Sequence, residues 1–133
     1  MEFPLHFGLQ KIGLPLIMID FQGANLCILL DTGANINYID KKVYDYFKDN
    51  FELLPSKGYS FGIDGVRIEN ENVRFDFIFE NETYCTDFQV SNGNGFDNIL
   101  KDEGIQIDGV LGSNFFVEHK WIIDYSELKV YCK

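Results

Sequence analysis

The sequence predicts a mostly β domain with two short helices, and three observations predict it. Val73, Phe75, Phe77 and Phe79 alternate strictly, as do Tyr84, Thr86, Phe88 and Val90, with a turn at Asn81-Glu82 between the two runs. A period of two broken by a turn is a hairpin with one buried face. Leu26-Cys27-Ile28-Leu29-Leu30 is an unbroken apolar run, the pattern of a strand buried on both faces. Helical spacing appears in two short places only, around Val43 and around Phe115.

Taken in order, residues 1–14 mix apolar and polar side chains without a period, which leaves a tail, an extra strand or a dimer arm as readings. Residues 15–133 read as one domain, with no linker or composition shift to divide them. Leu16 to Phe21 and Leu26 to Leu30 are the arms of a hairpin turning at Gln22-Gly23-Ala24-Asn25. Ala34, Ile36 and Tyr38 alternate with Asn35 and Asn37, which predicts a further extended piece ending at Ile39. Asp40 is a good N-cap for a helix from about Lys41 to Asp49, carried by Val43, Phe47 and Phe51 and closed off by Pro55. Tyr59-Ser60-Phe61 and Val66-Arg67-Ile68 flank Gly62-Ile63-Asp64-Gly65, whose Asp-Gly step suits a tight turn. Ser91 to Gly104 reads as a loop with a helical turn near Ile99 and Leu100. Ile105 to Leu111 reads as a strand interrupted at Asp108-Gly109. A short helix follows Gly112 through Asn114 to His119, and Trp121 to Tyr125 pairs with Leu128 to Cys132 across a Ser126-Glu127 turn.

Composition narrows the function. With 46% hydrophobic and 16% aromatic residues, the chain of 133 residues buries a core and is not disordered. A formal net charge of -10 has the wrong sign for nucleic acid or an anionic membrane, and favours basic peptides as partners. Cys27, Cys85 and Cys132 are an odd number without a Cys-x-x-Cys pair, so reduced thiols and a cytoplasmic setting are expected. No metal site is expected either. A calcium loop laid from Asn92 would end on Glu103 but places Asp97 where glycine is required.

The chemistry concentrates at Asp31-Thr32-Gly33. A carboxylate delivered by a buried strand into a turn is costly unless a second group compensates it or shares its proton. Two facing carboxylates cannot both ionise, and the pair then offers a base and an acid in one place. The base can activate a water against an amide carbonyl while the acid donates to the developing oxyanion, with no cofactor. The chain has one such turn. An apolar strand, a glycine and a helix recur at Val110-Leu111-Gly112, but without an acid.

Asp31-Thr32-Gly33-Ala34 after an apolar strand, the later glycine-rich hairpin, Ile107-Asp108-Gly109-Val110-Leu111-Gly112 before a helix, and Trp121-Ile122-Ile123-Asp124-Tyr125 together resemble a retroviral-type (retropepsin-like) aspartic protease. The resemblance covers roughly Pro15 to Tyr131. It implies a closed acid-protease-like barrel that is a single lobe of a symmetric homodimer. Asp31 would be catalytic in each copy, with Thr32 and Gly33 supporting the turn. Leu29, Gly33, Ala34, Asn35 and Val110 would meet an extended peptide substrate. Gly62, Ile63, Asp64 and Gly65 would form a flap tip over it. Interleaved terminal strands would give Val130-Tyr131-Cys132 a role between copies. The acid at the flap tip departs from the family pattern, either favouring basic substrates or simply forming the turn. The resemblance also allows an alternative: a catalytically weak or inactive dimeric domain of the same fold that binds peptides as a scaffold.

Overall fold

Alternation along the chain becomes a sheet curled on itself. The computed structural model describes residues 1–61, 64–92 and 96–133. It runs β1 (Glu2–Pro4), α1 (His6–Ile12), β2 (Leu16–Phe21), β3 (Ala24–Asp31), β4 (Tyr38–Asp40), α2 (Lys41–Tyr46) and a single 3-10 turn (Lys48–Asn50). There follow β5 (Glu52–Phe61), β6 (Arg67–Phe79), β7 (Glu82–Ser91), α3 (Asp97–Glu103), β8 (Gly109–Gly112), α4 (Ser113–His119), β9 (Trp121–Asp124) and β10 (Lys129–Cys132). Seven strands form one sheet in the order β2-β3-β8-β4-β7-β6-β5, and a pairing of Asp20 with Ile78 joins β2 back to β6. That closes the ring and leaves β5 as a flange on β6. A smaller sheet, β1-β10-β9, packs beside it.

The inward face of β6 supplies Phe75, Phe77 and Phe79, and β7 answers with Tyr84 and Phe88, all buried. Phe75 stacks on Phe88 at 4.3 Å between ring centroids and Phe77 on Tyr84 at 5.5 Å. Phe115 of α4 is fully buried and seals the barrel against Trp121 at 4.9 Å, edge to face. Offset and edge-on packing of this kind adds to the stabilisation from area alone. A second, smaller apolar cluster of Leu16, Cys27, Leu29, Ile105, Ile107 and Val110 lies under Ala34 and Tyr38. All three cysteines are free thiols. No helix among the described residues is long and apolar enough to cross a membrane.

Four differences from the sequence expectations have physical causes. The described residues hold four α-helices rather than two. α1 has no side-chain cap, and Gly8 in its middle weakens it in isolation. Packing rescues it, because any side chain at 8 would strike the Leu14 carbonyl and Leu16. α3 ends at Gly104 in the left-handed region, φ 70°, and packs against α1. Residues 1–14 therefore lie in the fold, with Glu2–Pro4 as the extra strand.

The extended piece expected from Ala34 joins the ladder only at Tyr38, and the strand expected from Ile105 joins only at Gly109. Lastly, both edges of β10 are occupied within the chain: Phe3 pairs with Val130 on one side and Ile123 pairs with Val130 on the other. The strand that the resemblance would interleave with a second copy is thus already central in its own sheet. Replacing Phe115 with alanine should destabilise the domain by about 3–5 kcal/mol, measured by chemical denaturation, because it opens a cavity among the five rings that pack on it.

Candidate active site

Asp31 is the last residue of β3, and β8 lies alongside in parallel, with Leu29 opposite Val110, Leu30 opposite Leu111 and Asp31 opposite Gly112. The chain then turns through residues 32–37 and comes back as β4 on the other side of β8, antiparallel to it. β8 therefore threads between the two strands that the Asp-Thr-Gly turn connects. Such threading leaves almost no room. A Cβ at Gly112 would sit 2.5 Å from the Ile36 carbonyl oxygen and 2.8 Å from that of Ala34, and one at Gly109 would sit 2.8 Å from the Tyr38 carbonyl oxygen. Glycine is required at both because the obstacles are backbone.

Hydrogen bonds lock the turn to β8. The Gly33 N–H donates to Asp31 Oδ1 at 2.9 Å, and the Ala34 N–H to the Asp31 carbonyl at 3.1 Å. The Ser113 N–H donates to the Ala34 carbonyl at 2.7 Å. A Cβ at Gly33 would lie 3.2 Å from Asp31 Oδ1, a tight contact that would press on this carboxylate. Among the described residues Asp31 Oδ1 alone of the two carboxylate oxygens accepts a hydrogen bond. Thr32 and Asn35 are exposed, and Ala34 is half-buried.

Asn37 is the residue that sequence reasoning missed. It read as the polar member of an alternating stretch, yet it is 1% exposed. Its Oδ1 accepts from the Gly112 N–H at 2.9 Å, and its Nδ2 donates to the Asp87 carbonyl at 3.1 Å. One side chain thereby ties β8, β7 and the Asp31 turn together. A buried amide with both ends satisfied rigidifies its surroundings, and nothing in one sequence distinguishes it from a surface asparagine.

Asp108 is a second buried carboxylate, with a different environment. Its Oδ2 accepts from the Cys27 N–H at 2.9 Å and its Oδ1 from Gln106 Nε2 at 2.9 Å. Its own N–H donates to the Cys27 carbonyl and its carbonyl accepts from the Asp40 N–H, each at 2.8 Å. The side chain thus takes the place of a ladder bond, which is why the strand starts only after it. Burial raises its pKa above the ordinary 3.8, with the Asp40 charge adding, against the lowering effect of the Cys27 and Gln106 hydrogen bonds. Burial with some help from Asp108 also raises the Cys27 thiol, to about 11, so Cys27 is a packed and unreactive group.

Of the proposed substrate contacts, Leu29 and Val110 are 7% and 6% exposed and sit in the second apolar cluster, which Ala34 caps. Asp64 and Gly65 lie at the tip of the β5–β6 hairpin, while Gly62 and Ile63 fall outside the described residues. Asp64 Oδ1 accepts from the Val66 N–H at 3.0 Å and Gly65 has φ 80°, so the acid at this tip forms the turn. Among the described residues no hydrogen bond joins the hairpin tip to the Asp31 turn. No group of three or more His, Cys, Asp or Glu among them could hold a metal ion.

No family model matches the sequence, and no curated protein matches it. Solved structures match it in fold. The retroviral protease-like domain of Ddi1 from Leishmania major superposes with a TM-score of 0.62 at 12% identity, covering 90% of this chain and 88% of that one. A retropepsin-like aspartic protease from Rickettsia conorii gives 0.59 at 14% identity, covering 98% and 88%. The EIAV protease, in complex with an inhibitor, gives 0.54 at 18% identity over 79% and 86%. The fold of this chain is the retropepsin-like fold.

Two expectations follow from this geometry. Asn37→Ala leaves the Gly112 N–H and the Asp87 carbonyl without partners and should cost about 2–4 kcal/mol in a denaturation experiment. Asp108 holds its proton to higher pH in the native state than in the unfolded chain. Stability should therefore fall as pH rises from about 3.8 through the raised native value. Asp108→Asn removes that slope, so unfolding free energies of the two proteins should differ least at the acid end and shift in favour of the variant as pH rises.

Proposed function

We propose that this chain is a homodimeric aspartic endopeptidase, in which Asp31 of two copies forms the catalytic pair. The observation that carries the reading is the setting of Asp31. It stands at the end of a strand buried on both faces, in a turn clamped to β8, with Gly33 fixing Oδ1.

In the dimer the two carboxylates share one proton. The ionised member takes a proton from a bound water as its oxygen attacks the amide carbon, and the protonated member donates to the carbonyl oxygen. The tetrahedral intermediate then collapses, breaking the C–N bond as the departing nitrogen is protonated by the pair. The rigid turn supports this step because the reacting groups must be held within a fraction of an ångström. Thr32 and Gly33 hold the turn, and Gly33, Ala34 and Asn35 offer contacts to the substrate backbone. Leu29 and Val110 form the apolar floor beneath Ala34.

An extended peptide is the fitting substrate, read by alternate side chains as an added strand would be. The β5–β6 hairpin supports that reading. It carries Phe61, Val66 and Ile68 at 71%, 58% and 45% exposure, an apolar surface suited to close over a peptide. With Asp64 occupied in the turn, the tip gives no reason to expect selection of a basic residue. The net charge of -10 still disfavours strongly acidic substrates.

Asp31→Asn should lower the rate of peptide cleavage by about a thousand-fold or more in a mixed peptide library, with an unchanged circular dichroism spectrum. A pepstatin-type transition-state mimic should bind the wild type and lose that affinity in the variant. Cleavage that survives the substitution would sink the mechanism. A stable dimer that binds peptides without cutting them would favour the scaffold reading.

A further inference from the structure

We propose that Gln89 is a positioning residue that holds the β5–β6 hairpin over the floor formed by Leu29 and Val110. The packing stands by itself, and its consequence for cleavage rests on the endopeptidase reading above.

Partners directly opposite in a ladder point to the same face of a sheet. Leu29 is paired with Val110, Val110 with Tyr38, Tyr38 with Gln89 and Gln89 with Asn72, so one row crosses β3, β8, β4, β7 and β6 on a single face. Leu29 and Val110 belong to the second apolar cluster, and Tyr38 and Ala34 pack against it. The other end of the row is polar and leads to the hairpin. Gln89 stands between Phe88 and Val90 of the aromatic core and points to the opposite face, yet it is 5% exposed.

What covers it is β5. A Cβ at Gly58 would fall 2.1 Å from Gln89 Nε2 and 2.6 Å from its Cδ, so the carboxamide occupies the space that a side chain at 58 would need. β6 lies between β5 and β7, whose backbones would stand about 10 Å apart in a flat sheet. Contact across β6 therefore means that the hairpin coils over toward this face, and the register shift between Leu53 and Lys57 adds to the bend.

Hydrogen bonds fix the arrangement. Asn70 Nδ2, on β6, donates to Gln89 Oε1 at 3.1 Å and to Ser60 Oγ, on β5, at 2.9 Å. The Gln89 N–H donates to the Asn37 carbonyl at 2.8 Å. The residue beneath the hairpin is thus tied to the residue that locks the Asp31 turn. Burying an amide costs desolvation that an apolar side chain of similar size would not, and the bond from Asn70 offsets it.

Hydrogen exchange on the full chain, together with kinetics on one peptide taken from a mixed library, tests the proposal. In Gln89→Met, which keeps the length and loses the bond, amides of residues 57–61 and 67–71 should exchange about five-fold faster or more, while those of residues 31–37 keep wild-type protection. KM should rise about five-fold with kcat little changed, because the hairpin holds the peptide and the reacting carboxylate is untouched. Gly58→Ala should loosen the same amides by expelling the carboxamide, but should add nothing to Gln89→Ala, in which the group it strikes is gone. Circular dichroism should show all the variants folded. Hairpin exchange that is unchanged in Gln89→Met overturns the proposal. So does an increase shared equally by the turn, which marks general loosening, or additive effects in the double variant. The two readings fail separately. Hairpin exchange that responds as stated in a protein that cuts no peptide removes the enzyme and keeps the role of Gln89. Cleavage with a wild-type KM and unchanged exchange in Gln89→Met removes that role and keeps the enzyme.

Discussion

The passage of β8 between β3 and β4 is the constraint on which the candidate site depends. Parallel pairing with β3 sets the height of Asp31, and antiparallel pairing with β4 sets where the turn must come back. Because the turn is pulled tight around β8, its carbonyls at Ala34 and Ile36 face Gly112 at distances no side chain tolerates. Asn37 then closes the knot by accepting from the Gly112 N–H while donating to β7. The turn is held by backbone contacts and one buried amide, so its geometry is largely independent of exposed loops. Rigid placement of this kind is what a reacting carboxylate needs and what an ordinary surface turn lacks.

The parts legible in the sequence were those with a strong local signature. Phe75, Phe77 and Phe79 alternate because one face of β6 is core, and the run from Leu26 to Leu30 is apolar throughout because β3 is covered on both sides. Asp40 read as an N-cap because its side chain competes well for a free helix donor, and it accepts from the Lys42 N–H at 2.7 Å. The illegible parts are those in which a side chain from afar replaces a local bond. Asp108 satisfies the Cys27 N–H from 81 positions away in sequence, so residues 105–108 look like a strand and are not one. Asn37 reaches Gly112 over a separation of 75. α1 is of the same kind: its central glycine argues against a helix locally and is explained only by the Leu14 carbonyl pressed against it.

The acidic hairpin tip shows how a geometric fact can decide between two readings of one residue. From sequence, Asp64 was either a selector of basic substrates or a turn former. A carboxylate oxygen engaged by the Val66 N–H, next to a glycine with positive φ, is an Asx turn. Its charge remains, but the turn already accounts for an acid at that position.

The internal echo of strand, glycine and helix takes on meaning once the register is known. Its two copies are not distant relatives in the fold: they lie side by side as β3 and β8, and the position opposite Asp31 is Gly112. An acid at 112 would supply a second carboxylate from within the chain. The Ile36 and Ala34 carbonyl oxygens at 2.5 and 2.8 Å from any Cβ exclude it, and two carbonyls facing a carboxylate would repel it as well. The same tight turn that fixes Asp31 therefore forbids it a partner from the neighbouring strand. The chain's own packing thus denies Asp31 a carboxylate partner at the position directly opposite it on β8.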